Sequence, residues 1–447
     1  MGLKRKKPSK HPEFDFTQKA APRPKAKKAK RNQQILDLGD KDLEQQVLGF
    51  NEFGKATLCE MVRYEKADGG EGEVPLYLNE FWTAGQRQAH SLHEVSYRAC
   101  FKPQLPAFFI DRLTGKGEIV YDPFMGRGTT PLEAALKGRI PYGCDINPLS
   151  ERLLLPRLTP PTLSEIQERL KSLNWDYRGE IPEDLLVFYH PDTLRTICAL
   201  RDYLIKRESE GKLDHIDGWI RLVAINRLTG HSVGFFSVYS LPPNQAVSVQ
   251  SQKRINERRN QTPPPRDVPA IILKKSKALL KGLTTDEVKC LHDVSNQSKS
   301  IIALADQTEA IASSSVSLVV TSPPFLDVVD YATDNWLRCW FIGLDAKTLD
   351  ISASGKLDKW EDTMTSVFVE LDRVLKPGGH IAFEVGEVRK GKVKLEESVL
   401  KCGDHAGLVP WFVMVNAQQF TKTANCWGVD NNSKGTNSNR IVLFRKR

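Results

Sequence analysis

The chain has 447 residues, 40% of them hydrophobic, which is enough for a sizeable core and leaves room for about two to three domain-sized units. Its eight cysteines (59, 100, 144, 198, 290, 339, 402 and 426) are scattered, with no Cys-x-x-Cys pair and no close Cys/His cluster, so a structural zinc site is not expected and no metal is predicted. No stretch approaches the roughly 18–20 consecutive apolar residues of a membrane helix and the N-terminus lacks the apolar core of a secretory signal, so the expectation is a reduced, cytoplasmic protein, or a nuclear one in a eukaryote, with no membrane partner.

The formal net charge of +9 is unevenly placed. Residues 1–32 hold twelve Lys and Arg against two acids, a net of +10, which leaves −1 for the remaining 415 residues. With prolines at 8, 12, 22 and 24 and few large apolar residues, this tail is expected to be disordered and drawn to phosphate backbones without sequence preference. A solubilising leader, or a nuclear localisation signal in a eukaryote, accounts for it equally.

Residues 33–150 form the next unit of the chain. Ile119-Val120-Tyr121-Asp122 reads as a buried strand, and Pro123-Phe124-Met125-Gly126-Arg127-Gly128-Thr129-Thr130 as a tight loop entering a helical pattern from Pro131 to Leu136. Glycines 126 and 128 allow positive φ and close backbone approach to a ligand, while amides at a helix start favour anionic groups. About twenty residues on, a second strand ends in Asp145, where a Rossmann-like sheet commonly grips ribose hydroxyls. A solvated Asp in a turn is the plainer explanation, and the spacing disfavours it.

Residues 151–299 are largely helical in pattern and are read as an insertion between the second and third strands. Within them, Gln250 to Lys281 holds nine Lys and Arg (253, 254, 258, 259, 266, 274, 275, 277, 281) against Glu257 and Asp267, a net of +7. Aromatics and amides from Gly234 to Gln245 adjoin this run, so the region is the candidate to contact nucleic acid and select its sequence. Lys253, Arg254, Arg258, Arg259 and Arg266 are its candidate nucleic-acid-binding residues. A solvated helical cap with core aromatics fits the same residues.

In residues 300–447 a third strand runs into Asp306, and a fourth, Ser317-Leu318-Val319-Val320, is followed by Thr321-Ser322-Pro323-Pro324-Phe325. Each proline fixes its own φ and biases the residue before it toward extended backbone, so the turn is stiff. Taken alone it is as much a strand-ending turn as a site. A helical pattern from Trp360 to Leu375 precedes a Lys-Pro-Gly-Gly turn, and strands near 379–385, 410–416 and 440–445 complete seven in all. The alternation predicts an α/β fold with a mostly parallel seven-stranded sheet.

The Asp-Pro-Phe-x-Gly-x-Gly-Thr-Thr loop and the Ser-Pro-Pro-aromatic turn, each behind its own strand, together resemble the amino-group DNA methyltransferases. That family uses S-adenosylmethionine to methylate N4 of cytosine or N6 of adenine. The resemblance covers most of residues 80–150 and 300–447, including Ser91–Tyr97 and Cys100–Pro106, which it places beside the cofactor. It implies a Rossmann-like S-adenosylmethionine-dependent methyltransferase fold in which Asp122, Pro123, Phe124, Gly126, Gly128 and Thr129 cradle the methionine part of the cofactor. Asp145 would bind the ribose and Asp306 the adenine amino group, although a strand-end cap also explains Asp306. DNA is the implied partner, with a cognate restriction endonuclease as a second.

Two features depart from the family pattern. The cofactor loop precedes the catalytic turn, the reverse of many Ser-Pro-Pro members, which leaves the chemistry intact because a parallel sheet brings both to its carboxyl edge. Arg127 stands where the family usually has a small residue, and is expected to point to solvent rather than to a phosphate or the cofactor carboxylate.

An exocyclic amino nitrogen is a poor nucleophile because its lone pair is delocalised into the ring. An enzyme must therefore accept hydrogen bonds from its hydrogens while holding the methyl donor in line. Ser322 Oγ and the carbonyl between Ser322 and Pro323 suit that task, Pro323 and Pro324 stiffen it, and Phe325 offers a stacking face worth about 1–3 kcal/mol. A paired base hides its amino group, so the target must be flipped out or single-stranded. Serine at the head of the turn resembles the cytosine-N4 branch more than the adenine-N6 one. Methylation at cytosine C5 needs a cysteine that in that family follows proline, and none here does. An RNA amino-methyltransferase and a non-catalytic nucleic-acid-binding protein of the same fold are the readings from other classes.

Overall fold

The computed structural model describes residues 43–82, 89–98, 100–241, 246–324, 331–346, 356–386, 394–417 and 438–447. The basic tail at 1–32 and Phe325 lie outside them. Nine strands form one sheet: β1 (Leu58–Glu65), β2 (Glu71–Asn79), β3 (Ile119–Asp122), β4 (Ile140–Asp145), β5 (Lys299–Ile302), β6 (Val316–Thr321), β7 (Leu375–Val385), β8 (Val409–Ala417) and β9 (Ser438–Arg445). Their order across the sheet is β1-β2-β8-β9-β7-β6-β3-β4-β5.

Seven of these, β3 to β9, are the strands expected from the sequence. They run parallel except for β9, which lies antiparallel between β7 and β8. The N-terminal hairpin β1-β2 extends the sheet, with β2 parallel to β8. β6 sits near the centre and all six of its residues are buried. A strand covered on both faces reads as a continuous apolar run rather than an alternating one.

The two faces separate cleanly by alternation. Tyr121, Val319, Ile381 and Phe383 pack with Met364, Phe368 and Leu371 of the helix Leu357–Val374. Val120, Leu318, Val320 and Ala382 face Phe108 and Phe109 of the helix Gln104–Leu113. Burial of each large side chain contributes about 1.5–3 kcal/mol. The Lys-Pro-Gly-Gly segment is a bulge rather than a turn. Val316 pairs with Leu375 and Leu318 already with His380, so residues between them loop out of the ladder, with Gly378 at a φ of 75°.

Among the described residues between β4 and β5 lie seven α-helices, from Leu149–Leu158 to Thr285–Ser295. Two start on capping boxes, at Thr162 with Glu165 and at Thr284 with Glu287. Their apolar cluster, around Trp219, Phe188 and Leu194, is continuous with Leu132 and Ala135 beside β3 and with Leu337 and Phe341 of the helix Tyr331–Phe341. The helical region and the sheet therefore share a core. Phe235 and Phe236 belong to the buried residues, so these aromatics pack rather than face a ligand.

Candidate active site

β3, β4, β5 and β6 are mutually parallel, so their carboxyl ends meet at one edge and bring the loops after them together. There they border a cavity of about 550 Å³, within the usual range for a small-ligand site. Pro123, Phe124, Met125, Gly126 and Thr129 come from the glycine loop, Asp145 to Asn147 from the end of β4, and Ala303 to Asp306 from the end of β5. Ser322 and Pro324 border it from the end of β6. Tyr97, Cys100 and Phe101 line another side, and Lys359, Trp360, Thr363, Met364 and Val367 of one helix complete the wall.

The glycine loop is shaped by its neighbours. Gly126 has a φ of 51° and Gly128 one of 72°, values that disfavour any side chain. A Cβ on Gly128 would also lie 2.9 Å from Leu154 Cδ1. Asp145 accepts from the Gly126 amide through Oδ2 (2.8 Å) and from the Asn147 amide through Oδ1 (2.9 Å). Burial raises its pKa against the pull of these donors. Each oxygen keeps a lone pair that a ribose hydroxyl could use.

Asp122 and Gly128 do not border the cavity; they hold the loop that does. Asp122 is buried, and its Oδ1 accepts from the Phe124 amide (3.1 Å) and from Thr321 Oγ1 (2.6 Å). Burial pushes its pKa up to about 7. Thr130 Oγ1 donates to the Val320 carbonyl (3.0 Å), so two hydrogen bonds tie the glycine loop to the strand carrying the Ser-Pro-Pro turn.

Arg127 is half-buried and does not border the cavity. Its guanidinium donates to the carbonyls of Val95 (2.8 Å) and Phe101 (3.3 Å) and to Thr129 Oγ1 (3.1 Å), fixing the segment that carries Tyr97 and Cys100. The fully buried Arg157 donates in turn to the Arg127 carbonyl. Two arginines thus do with backbone carbonyls what a short loop cannot do alone. The expectation of an Arg127 that simply points to solvent fails because its guanidinium finds backbone carbonyls within reach.

At the Ser-Pro-Pro turn, Thr321 pairs with Phe383, which brings the next residues, Ser322 and Glu384, side by side. Glu384 is buried, accepts from Ser322 and from Asn439 Nδ2 (2.8 Å), and has its pKa raised by burial. At the other end, Trp360 Nε1 donates to the Pro324 carbonyl (3.0 Å). Pro323 lies between these two anchors and does not border the cavity. Glu384 was missed in the sequence although its signal was present: an acid ending an apolar strand, as at Asp145. Trp360 and Asn439 had none, because their partners are distant in sequence.

Away from the cavity, Lys253, Arg254, Arg258 and Arg259 are exposed on the helix Val249–Arg259, and the Arg259 guanidinium lies 3.7 Å over the Tyr239 ring. Arg266 is half-buried, with its amide bonded to Thr193 Oγ1 (2.8 Å). No helix among the described residues is long and apolar enough to cross a membrane.

The cavity suits the cofactor implied by the motifs. It joins Asp145, a second acid at Asp306, apolar Ile146 and Leu304, and Asn147, whose Nδ2 is buried without a partner among the described residues. An oxygen- or nitrogen-rich ligand would satisfy that donor.

A DNA methylase family model matches residues 7–153. The type II methyltransferase M.MvaI of Kocuria varians is 32% identical over 148 residues, covering 32% of this chain and 29% of that protein. M.BsoBI of Geobacillus stearothermophilus, also a type II methyltransferase, is 23% identical over 318 residues, 63% of this chain and 60% of that one. The chain therefore spans less than two thirds of the length of either relative. Among solved structures, an rRNA methyltransferase of Streptomyces viridochromogenes aligns with 79% of this chain and 89% of its own at 11% identity and a TM-score of 0.29, a likeness too low to bear on substrate. The residues that the DNA methylase model matches include the glycine loop that frames the cavity, and over part of its length the chain is similar to type II DNA methyltransferases.

Proposed function

We propose that the protein methylates an exocyclic amino group of a flipped-out base in DNA, and that this group is N4 of cytosine. The observation that carries the reading is the hydroxyl of Ser322, set at the cavity edge with the buried Glu384 carboxylate behind it. S-adenosylmethionine, when bound, supplies an electrophilic methyl group. The amino nitrogen must form one bond to carbon and lose one proton. By donating to Glu384, Ser322 keeps its lone pairs for the amino hydrogens, which it accepts together with its own carbonyl. That contact draws electron density onto the nitrogen as it attacks. As the N–H bond breaks, its proton moves to Ser322 Oγ while the serine proton passes to Glu384, whose carboxylate becomes a neutral acid.

The exposed cations at 253, 254, 258 and 259 are proposed to hold phosphates, and residues 151–299 to select the sequence. Replacing all four cations by glutamine is expected to flatten the salt dependence of DNA binding by about 0.9 per lost phosphate contact and to leave base choice unchanged.

The deciding experiment uses the purified full chain, labelled S-adenosylmethionine and unmethylated phage DNA long enough to contain most short recognition sequences. Nucleoside mass spectrometry is expected to show N4-methylcytosine. N6-methyladenine would replace the base assignment, transfer to RNA alone would replace the substrate, and no transfer to either would leave a binding protein.

A further inference from the structure

We propose that Trp360 is a positioning residue that joins the cofactor cavity to the catalytic turn, so that filling the cavity fixes the turn; the inference rests on the methyl-transfer reading above. Two observations meet in this side chain. Its ring lines the cavity, and its Nε1 donates to the Pro324 carbonyl at 3.0 Å.

The turn makes that carbonyl a sensitive place to hold. Rings fix φ at Pro323 and Pro324, so the remaining freedom lies in ψ, and the ψ of Pro324 sets both the direction of its carbonyl and the path by which the chain leaves it. Neither proline has an N–H with which to anchor itself. Ser322 ties the start of the turn to Glu384 on β7, and Trp360 ties its end to the cavity wall.

On the other side, the indole belongs to a continuous surface. Trp360, Thr363, Met364 and Val367 of the helix Leu357–Val374 all border the cavity, at the spacing that puts them on one helical face. Trp360 is only 3% exposed, and indole has a single donor, so without Pro324 its N–H would be buried unpaired. A ligand packed against the ring restricts the ring's rotation and therefore the bond. By linkage, what the cavity ligand does for the turn, a base held at the turn does for the cavity ligand.

The test compares the full chain with Trp360→Phe, which keeps an aromatic ring in the wall and removes the N–H. S-adenosylhomocysteine is the probe, and hydrogen exchange of a peptide spanning 317–331 is the readout. In the unsubstituted protein the probe is expected to slow exchange there at least about fivefold. Trp360→Phe is expected to bind the probe within about threefold of normal yet lose that protection, with kcat on unmethylated phage DNA down about tenfold or more, as for a misplaced reacting group. Protection that persists in Trp360→Phe would overturn the proposal. So would a loss of probe affinity in step with the loss of protection, which would make Trp360 a cofactor contact only. Should the Phe variant not fold, benzothienylalanine at position 360 replaces the N–H by sulfur within the same outline and is read the same way. Failure of the unsubstituted protein to methylate DNA would remove the functional reading, while the exchange comparison still decides the coupling.

Discussion

The glycine loop at 122–130 and the turn at 321–324 share one edge of the sheet but are held in different ways. The loop is fixed by neighbours: Asp145 is 19 residues from Gly126, and the carbonyls that bind Arg127 lie 26 and 32 residues back. The turn is fixed across the chain. Thr321 meets Asp122 over 199 residues, Trp360 meets Pro324 over 36, and the Glu384 beside Ser322 is itself held by Asn439 over 55. A local motif therefore carries the proposed cofactor cradle almost entire, whereas the geometry of the turn proposed to hold the reacting group depends on the register of β6, β7 and β9. Changes that damage the loop should act on cofactor affinity, and changes that damage the turn should act on turnover.

The strongest attempt to break this division is Ser322→Ala. It removes the acceptor proposed to touch the amino group and leaves the glycine loop intact. Turnover is expected to fall by about 10² to 10⁴, the range for a lost proton-transfer group, with cofactor affinity unchanged by calorimetry. A parallel fall in affinity would show the two regions to be one. Asp145→Ala is the converse. It strands the Gly126 and Asn147 amides as well as removing the proposed ribose acceptor, so cofactor affinity should drop about tenfold or more, at about 1–3 kcal/mol for a buried group left unpaired. Unchanged affinity would remove the ribose assignment.

Glu384→Gln sharpens the turn's side of the comparison. Burial raises the Glu384 pKa, so the carboxylate that takes the proton is populated only at a pH above the ordinary glutamate range. The rate of the unsubstituted protein should therefore fall on the acid side from a higher pH than a solvated carboxylate would give. The amide variant keeps the hydrogen bond from Ser322 but cannot take a proton, so it should lose about tenfold in kcat and that acid limb with it. An identical pH profile in both would confine Glu384 to packing.

What the sequence made legible follows the same line. Seven strands, the glycine loop and the acids at 145 and 306 are short-range patterns, each an apolar run closed by a turn or an acid. The hairpin β1-β2 was not visible because β1 is an edge strand with six of its eight residues exposed, which erases the alternation that marks a strand. Lys376 to Gly379 has the composition of a turn and forms a bulge, since β6 pairs with Leu375 before it and with His380 after it. Arg127 looked solvated because nothing in the sequence reveals two carbonyls gathered from a segment about thirty residues upstream. Trp360 and Asn439 are ordinary residues in their own elements, and only the sheet register gives them partners.

Asp122 is the one group that belongs to both regions, and its substitution should have the smallest effect on turnover. Its carboxyl is buried, with Oδ2 unpartnered among the described residues, and its pKa stands at about 7 against an ordinary 3.8. The native protein thus holds a proton there between about pH 4 and 7 that the unfolded chain has already released. With more protons bound in the native state, stability falls as pH rises through this window. The full loss, reached above pH 7, amounts to a few kcal/mol at about 1.4 kcal/mol per unit. Asp122→Asn keeps an oxygen for the Phe124 amide and the Thr321 hydroxyl while removing the charge. Its thermal midpoint is expected to be flat from pH 5 to 8 where that of the unsubstituted protein declines, with kcat changed by about threefold at most because the tie to Thr321 survives. A large loss of turnover with normal cofactor affinity would instead place Asp122 with the turn, and the boundary between the two regions would move to the end of β3.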